Sequence, residues 1–546
     1  MSLPNITAED PASTVEGNAA DVTAAQLAAP GGWRRRLGLG GASSVFSASL
    51  LLMGSTILAQ MFSLLRNKLV ARYFGAGQET AAYFGGFQLP DMIYYLVIGG
   101  VASTAFVTIL TRYRTGSRDD EAEGDRALSA ILNVVFVGLL LACTLGFVFA
   151  PQYVSFFFDK FQPHEAALCI HLTRILMLTP LLHFLGGVFA SRLLVRKIFV
   201  SQALGSVFYS GGIVVGLVLF HARYGIDSMA IGAVGGALVG PLLVNLVAAV
   251  RVGLRWSPVW DLKHPALREW LRISLPLMLG ASLTTVDPWI RNHFISGDAA
   301  DMSRLNYARQ IFSAPMSALG PAAGIASLPF FASLWVKGEI AAFSAAVDKA
   351  VSRMIAVSLL LSGWMVGLAP VLITILLRGG SFHQSDALRT TEYLVLYSLG
   401  LFLWTSQNLY ARAFYAASDT LTPMVSGTVV VLLSIPLYKL LFAINGASGL
   451  VWAATVGMLL HTGALAVLLH RKRMVSLAEL EYPELGRALL AAVLSGAGTL
   501  FAVSLVPKQA LVSALVGSTV WAVVCLVVLR VTGSRLLDVV LRRKAA

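Results

Sequence analysis

The chain has 546 residues, of which 57% are hydrophobic and only 13% are charged. Soluble globular domains carry about 25% charged residues, so this composition excludes an ordinary soluble protein. The formal net charge is +13, but the basic residues lie mostly at alternate ends of apolar runs. That bias is typical of membrane proteins rather than of nucleic-acid-binding domains, so we expect membrane lipids and no nucleic acid as partners.

Residues 1–32, in the tail that we expect over 1–43, are polar, rich in alanine and without the basic and apolar regions of a secretory signal. This composition predicts a disordered cytosolic tail. Arg34, Arg35 and Arg36 follow residue 32 and are expected to hold the start of the first membrane span at the cytoplasmic face.

Apolar runs long enough to cross the hydrocarbon core as helices occupy most of the remaining chain. The predicted spans are 46–70, 84–112, 128–150, 165–190, 200–221, 226–250, 268–294, 304–334, 351–377, 389–416, 420–443, 447–470, 485–506 and 509–530. Alternation in ten-residue units, which marks a β-barrel, does not occur. The sequence therefore predicts an all-α integral membrane protein of about fourteen transmembrane helices, with both termini in the cytoplasm.

A weak internal repeat relates the second and the eighth predicted spans at an offset of 225 residues. The related pairs are Pro90 with Pro315, Gly99 with Gly324, and Phe106 with Phe331. Because the offset covers six spans, an even number, the repeat predicts two parallel six-helix lobes that enclose a central site, as in many transporters.

The expected domains follow from this repeat. We expect an N-lobe over 44–252, a C-lobe over 253–475, and two further helices with a basic cytosolic tail over 476–546.

The first span carries Arg66, Lys68 and Arg72 in its last turns. A charge at the centre of a membrane helix costs about 2.5–3.5 kcal/mol on insertion scales, so such residues usually mark a functional cavity. The alternative is that these side chains extend to the outer interface, where their charges are solvated.

The seventh span carries Asp287 and Arg291, which are four residues apart and can pair on one helix face. A purely structural ion pair and a role in a site are both consistent with this spacing. Asp91 and Arg309 lie near the prolines of the repeat. Together these residues predict a basic-biased lining suited to a phosphate or pyrophosphate group.

No nucleophile elbow, phosphate-binding loop or metal-binding histidine motif occurs. We therefore expect a protein that is not an enzyme and that uses no cofactor. The three cysteines lie in or beside apolar runs without metal-ligand spacing, which indicates small core residues. Gly232, Gly235, Gly236 and Gly240 have the spacing of close helix packing.

Three segments resemble one known family. They are the stretch from Arg66 to Phe106, the element Arg378-Gly379-Gly380-Ser381-Phe382, and the stretch from Leu409 to Pro423. These segments resemble the MurJ/MviN family of lipid II flippases, in the MOP superfamily, and the likeness extends from about residue 46 to residue 530.

The resemblance implies a carrier in the bacterial inner membrane that moves a polyprenyl-pyrophosphate-linked saccharide, lipid II, from cytoplasmic to periplasmic access. It also implies cavity arginines that hold the pyrophosphate, and coupling to an ion gradient or to the membrane potential. Of the family's cavity cations, Arg66 is matched directly. Tyr94 and Tyr95 stand where the family has an arginine pair.

The tyrosines offer aromatic faces and hydroxyls, which suit sugar rings or a less charged head group. Two alternatives to lipid II transport therefore stay open at this stage. One is a related exporter of another lipid-linked oligosaccharide or exopolysaccharide precursor. The other is a membrane scaffold that has lost transport.

Overall fold

The computed structural model describes residues 45–98, 118–196, 198–254, 256–258, 260–261, 263–279, 283–506 and 509–536. Within these ranges the regular elements are helices, and the one β-bridge, between Gly379 and Phe382, is isolated. The predicted all-α fold is confirmed. The predicted tail over 1–43 lies outside the described residues, as do Gly99 and Phe106 of the predicted repeat.

The first half of the chain, up to residue 254, folds into the following helices. They are α1 (Val45–Phe74), α2 (Gln78–Ile98), α3 (Arg118–Val148), α4 (Ala150–Phe157), α5 (Pro163–Leu176), α6 (Leu178–Val195), α7 (Val200–Tyr224), α8 (Asp227–Ala237) and α9 (Asn245–Arg251). A π-helical turn over Leu238–Val244, which contains Pro241, joins α8 to α9.

The remaining helices form the second half and the C-terminal pair. They are α10 (Pro265–Leu279), α11 (Leu283–Ile295), α12 (Ala299–Val336), α13 (Ile340–Leu376), α14 (Gln384–Leu399), α15 (Leu401–Ala416), α16 (Leu421–Arg471), α17 (Tyr482–Leu505) and α18 (Ala510–Val531).

Eight helical stretches of the described residues are long and apolar enough to cross a membrane. One of them, Leu421–Arg471, holds two predicted spans, 420–443 and 447–470. Its 51 residues exceed the roughly 20 that one crossing needs, and the backbone leaves the helical region at Gly446, with φ 56°. The chain is thus a multi-pass membrane protein, while the count of fourteen crossings stays a prediction.

Glycines bring α7 and α8 into backbone contact. A Cβ atom added at Gly212 would lie 2.5 Å from the Cα atom of Gly236, and one added at Gly216 would lie 2.5 Å from that of Gly232. The predicted packing role is therefore confirmed for Gly232, Gly236 and Gly240. It is wrong for Gly235, which has nothing within 4 Å, because that residue faces away from α7.

A buried cluster joins the two halves of the molecule near the end of α1. Phe84 of α2 packs against Tyr307 of α12, with ring centroids 5.6 Å apart. Trp289 of α11 packs on Tyr153 of α4 at 5.9 Å. This cluster ties the second half of the chain to the first.

Two further clusters of the described residues lie toward the opposite ends of these helices. One contains Leu128, Phe184 and Trp270, and the other contains Phe343 and Phe414. In the described residues, the halves therefore share one core near the end of α1 and have separate cores away from it.

The two described parts of the predicted seventh span, 268–294, have different neighbours. Ala266, Leu267 and Trp270 of α10 pack in the cluster of the first half. Trp289 and Ile290 of α11 pack in the shared cluster. The segment before α11 therefore packs with the first half of the chain, although the sequence places the start of the C-lobe at residue 253.

The close approach of α7 and α8 predicts a contrast between adjacent glycines. We expect Gly236→Val to lower the melting temperature of the purified protein in detergent. A Cβ at that position would lie 2.7 Å from the carbonyl oxygen of Tyr209, and backbone cannot move aside cheaply. Gly235→Val, on the open face of the same helix, is the control and should melt like the wild type. Equal melting of the two variants would contradict this packing.

Candidate functional site

A chamber of about 360 Å³ lies between α1 and α2 of the first half and α11 and α12 of the second half. We call it the central chamber. Its polar lining contains Arg66, Gln88, Asp91, Tyr95, Arg291, Asn292, Asn306, Arg309 and Gln310. The structure thus brings five of the nine predicted site residues together: Arg66, Asp91, Tyr95, Arg291 and Arg309.

Asp287 and Arg291 form the ion pair that their spacing predicts. Arg291 Nη1 donates to Asp287 Oδ2 at 2.9 Å, and the two side chains are 1% and 0% exposed. A buried charge needs hydrogen-bond partners, and hydroxyl and amide groups supply several here, although Arg291 Nε has none. Tyr438 donates to Asp287, while Arg291 donates to the Tyr397 hydroxyl and to Asn306.

Arg309 shares the same carboxylate. Its Nε atom lies 3.6 Å from Asp287 Oδ2, and its guanidinium carbon lies 4.2 Å from the centroid of a ring of Trp404. Cations over tryptophan faces are stabilised further where water is excluded. One acid therefore serves two buried arginines, and the cluster keeps one positive charge in excess.

Arg66 adds a second positive charge to the chamber. It is half-buried, and its Nη2 atom donates to Ser63 Oγ at 3.1 Å and to Gln310 Oε1 at 3.0 Å. Among the described residues, no carboxylate lies within ion-pair distance of Arg66. Its charge is met by neutral acceptors, which an anionic ligand can replace.

A row of amides crosses the seam between the halves, and the sequence analysis did not identify it. Asn292 donates to Gln88 Oε1 at 2.9 Å, and Asn306 donates to Asn292 Oδ1 at 3.1 Å. All three side chains are buried, and Asn306 also accepts from Arg291. The available signal was the presence of amide side chains within apolar spans, where they need partners on neighbouring helices.

Lys68 and Arg72 lie outside the central chamber. Both side chains are exposed, and Lys68 Nζ donates to the carbonyl of Ile375 at 2.8 Å. The backbone carbonyl of Arg72 accepts from the Ser381 amide at 2.9 Å. The structure therefore places these two predicted site residues at the join between α1 and the loop after α13.

That loop contains the element Arg378-Gly379-Gly380-Ser381-Phe382, and glycine is required on both sides of the join. Gly380 has φ 59°, and a Cβ there would lie 2.1 Å from the Arg72 carbonyl oxygen. Gly75 has φ 67°, and a Cβ there would lie 2.5 Å from the Ser381 carbonyl oxygen. Phe382 packs its ring against Tyr307. This element holds the two halves together at the end of α1.

The stretch from Leu409 to Pro423 has a structural role at the start of α16. Asp419 accepts from the Thr422 backbone amide at 3.0 Å and from Lys472. Burial tends to raise the pKa of Asp419, but these hydrogen bonds outweigh it and lower that pKa below its usual value.

Tyr94 also lies apart from the central chamber, although it neighbours Tyr95 in sequence. Its ring centroid lies 5.0 Å from that of His183 on α6, and it lines a second cavity that shares Asp91 with the chamber. Successive residues of a helix point in directions about 100° apart, so the two tyrosines face different spaces.

The shared carboxylate predicts a large cost for its removal. We expect Asp287→Asn to lose roughly 3–5 kcal/mol of stability, because two buried guanidinium groups lose their common anion. Thermal unfolding in detergent measures this loss. The control is Glu392→Gln, which breaks the exposed ion pair with Arg389 and should leave the melting temperature nearly unchanged. If Asp287→Asn melted like the control, the cluster would not be stabilising.

Comparison with known proteins identifies the family. The model of the family described as lipid II flippase MurJ matches residues 70–521. The lipid II flippase MurJ of Burkholderia cenocepacia is 25% identical over 432 residues, which cover 77% of this chain and 82% of that protein.

Solved structures share the fold. A lipid II flippase MurJ in an inward closed conformation superposes with a TM-score of 0.72 at 20% identity, covering 88% of this chain and 99% of that one. An inward-facing multidrug resistance MATE family transporter of the MOP superfamily gives a TM-score of 0.63 at 15% identity, covering 76% and 94%. Since the family model matches most of its length, this chain belongs to the lipid II flippase MurJ family.

Proposed function

We propose that this protein is a lipid II flippase of the bacterial inner membrane. It turns the polar head group of its substrate from the cytoplasmic to the periplasmic side by alternating access. Family membership supports this activity, and no catalytic step is part of it. In this proposal, residues 44–252 and 253–475 act as two lobes, with α10 of the second packed on the first, and both termini lie in the cytoplasm.

The single observation that carries the proposal is the charge of the central chamber. Arg66, Arg291 and Arg309 line it, while the nearby carboxylates are Asp91 and Asp287. The set keeps one positive charge in excess at a place where each charge is costly. A pyrophosphate compensates this excess, because guanidinium groups bind phosphate oxygens through paired hydrogen bonds.

The three arginines have different parts in this proposal. Arg291 is tied to Asp287, so it positions the cluster more than it reaches the ligand. Arg309 has a longer contact to the same acid. Arg66 donates to neutral acceptors and is the primary group that we assign to the pyrophosphate.

The arrangement of the halves supports a state that is closed at the end of α1. Besides the bond from Gln60 to Ser317, nearer the start of α1, three hydrogen bonds between the halves gather near the end of α1: Ser303 to the Gly77 carbonyl, Tyr307 to the Gly75 carbonyl, and the Ser381 amide to the Arg72 carbonyl. With the N-terminus in the cytoplasm, this end faces the periplasm. Outward opening must break these bonds, each of which has a net worth of about 1 kcal/mol.

Opening therefore needs a source of free energy. We propose coupling to an ion gradient or to the membrane potential, which supplies about 2.3 kcal/mol per elementary charge per 100 mV. A substrate that binds the outward state more tightly than the inward state, by a similar free energy, also favours opening.

Complementation of a strain depleted of its lipid II flippase tests the proposal. We expect the wild-type chain to restore growth and Arg66→Ala to fail at normal expression. A charge-assisted hydrogen bond is worth about 1.5–3 kcal/mol, so the variant should bind lipid II roughly 10–100-fold more weakly. Arg66→Lys keeps the positive charge but loses the paired N–H donors of the guanidinium group. It should restore growth to a level between those of the wild type and Arg66→Ala.

The matched control is Arg223→Ala, an exposed arginine at the end of α7 away from the central chamber. It should complement like the wild type. Failure of the expressed wild-type chain to restore growth would refute lipid II transport, and full activity of Arg66→Ala would refute the arginine site.

A further inference from the structure

A second cavity of about 420 Å³ lies inside the first half of the molecule. We call it the side cavity. It is enclosed by α2, α6, α7 and the π-helical turn before α9. Asp91 lines both this space and the central chamber, so the two meet at that residue. A ligand held by the chamber arginines therefore lies beside the side cavity.

The lining of the side cavity differs in charge from that of the chamber. Among the described residues, its lining contains no lysine or arginine, and Asp91 is its one carboxylate. Its aliphatic side chains with polar groups are neutral and come from Thr179, Gln202, Ser206, Ser210 and Asn245. Phosphate has no compensating cation here, whereas a neutral group rich in hydroxyls finds both donors and acceptors.

Asn245 supplies an acceptor that lacks a partner. Its side chain is buried, and its Nδ2 atom donates to the Pro241 carbonyl at 2.8 Å. That bond fixes the orientation of the amide, because a carbonyl can only accept. The Oδ1 atom is buried without a hydrogen-bond partner. A sugar hydroxyl or an acetamido N–H can donate to it, whereas an ionised phosphate cannot.

The backbone around Asn245 is unusual. The turn over Leu238–Val244 is π-helical, a conformation that is rare and often occurs at functional sites. Gly186 lets α6 approach this turn, since a Cβ there would lie 2.1 Å from the Pro241 carbonyl oxygen. The unpaired Asn245 Oδ1 atom therefore lies beside a π-helical turn, and α6 packs closely against that turn.

Aromatic rings form another wall of the cavity. The ring centroid of His183 lies 5.0 Å from that of Tyr94 and 4.6 Å from that of Tyr209, both in edge-to-face geometry. His183 Nδ1 is held by the Thr179 carbonyl at 2.9 Å. Rings that combine an apolar face with a polar edge suit the mixed surface of a sugar.

We propose that the side cavity binds the saccharide part of the head group while the central chamber binds its pyrophosphate. This assignment rests on the proposed flippase function and extends it. Asn245 accepts a hydrogen bond from the saccharide, Tyr94 presents a ring to it, and Asp91 lies between the two subsites.

Native mass spectrometry of the full-length protein in detergent tests this assignment with two probes. The probes are lipid II and undecaprenyl pyrophosphate, which carries the same anchor and a pyrophosphate without the saccharide. The test variant is Ser206→Phe, which fills the side cavity from a position exposed to it. The control is Leu204→Phe, an exposed position on the same helix that does not line the cavity.

We expect Ser206→Phe to weaken lipid II binding roughly tenfold or more, as expected when more than one hydrogen bond is lost, and to leave undecaprenyl pyrophosphate binding unchanged. Leu204→Phe should bind both probes like the wild type. Ser206→Ala, which keeps the cavity open, should lose less than Ser206→Phe.

Three results would overturn the saccharide subsite. One is equal binding of lipid II by Ser206→Phe and the wild type, and another is equal binding of the two probes by the wild type. The third is a cation site in place of a saccharide subsite. It would be shown if the organic cation tetraphenylphosphonium bound to the wild type, if Asp91→Asn and Ser206→Phe both abolished that binding, and if lipid II still bound to both variants. In each case the flippase proposal is judged separately, by complementation and Arg66→Ala.

Discussion

The carboxylate of Asp287 is the interaction on which the centre of this molecule depends. It is fully buried, it receives Arg291 at 2.9 Å, and it lies 3.6 Å from Arg309. Neither arginine could be kept at this depth without an anion nearby, because the cost of burying a lone charge exceeds what neutral hydrogen bonds return. One carboxylate between two guanidinium groups permits both arginines to be buried. It still leaves a net positive charge that attracts an anionic ligand.

The same cluster fixes the helices that form the second half of the chamber. Asp287 and Arg291 lie on α11, Arg309 lies on α12, and Tyr397 and Tyr438 come from α14 and α16. A rigid charged wall is therefore built from four helices. The facing wall, on α1 and α2, is joined to it through contacts that contain no opposite charge, such as Arg66 with Gln310 and Asn292 with Gln88. Such contacts cost less to break than a buried ion pair, as a carrier with two states requires.

Several of these features could be predicted from the sequence. The four-residue spacing of Asp287 and Arg291 implies a pair on one helix face, and the structure contains it. The glycine spacing on α8 and in the turn after it implies close packing, and three of the four glycines show it. Sequence spacing is sufficient to predict these features because the residues concerned lie on one face of one helical segment.

Contacts between distant helices could not be predicted in this way. Spacing shows that Arg66 and Lys68 face different directions, but only the packing of α1 against its neighbours decides which of them faces the chamber. Tyr94 and Tyr95 divide between two cavities for the same reason. The place of Trp404 over Arg309 and the π-helical turn at Pro241 depend on tertiary packing, which no spacing rule describes.

A structure of the protein with lipid II bound, determined by electron cryomicroscopy, tests the central claim most directly. We expect the pyrophosphate between α2 and α12, in contact with the guanidinium group of Arg66 and beside the Asp287 cluster. Head-group density on the lipid-facing surface, with the chamber arginines unchanged, would contradict the account.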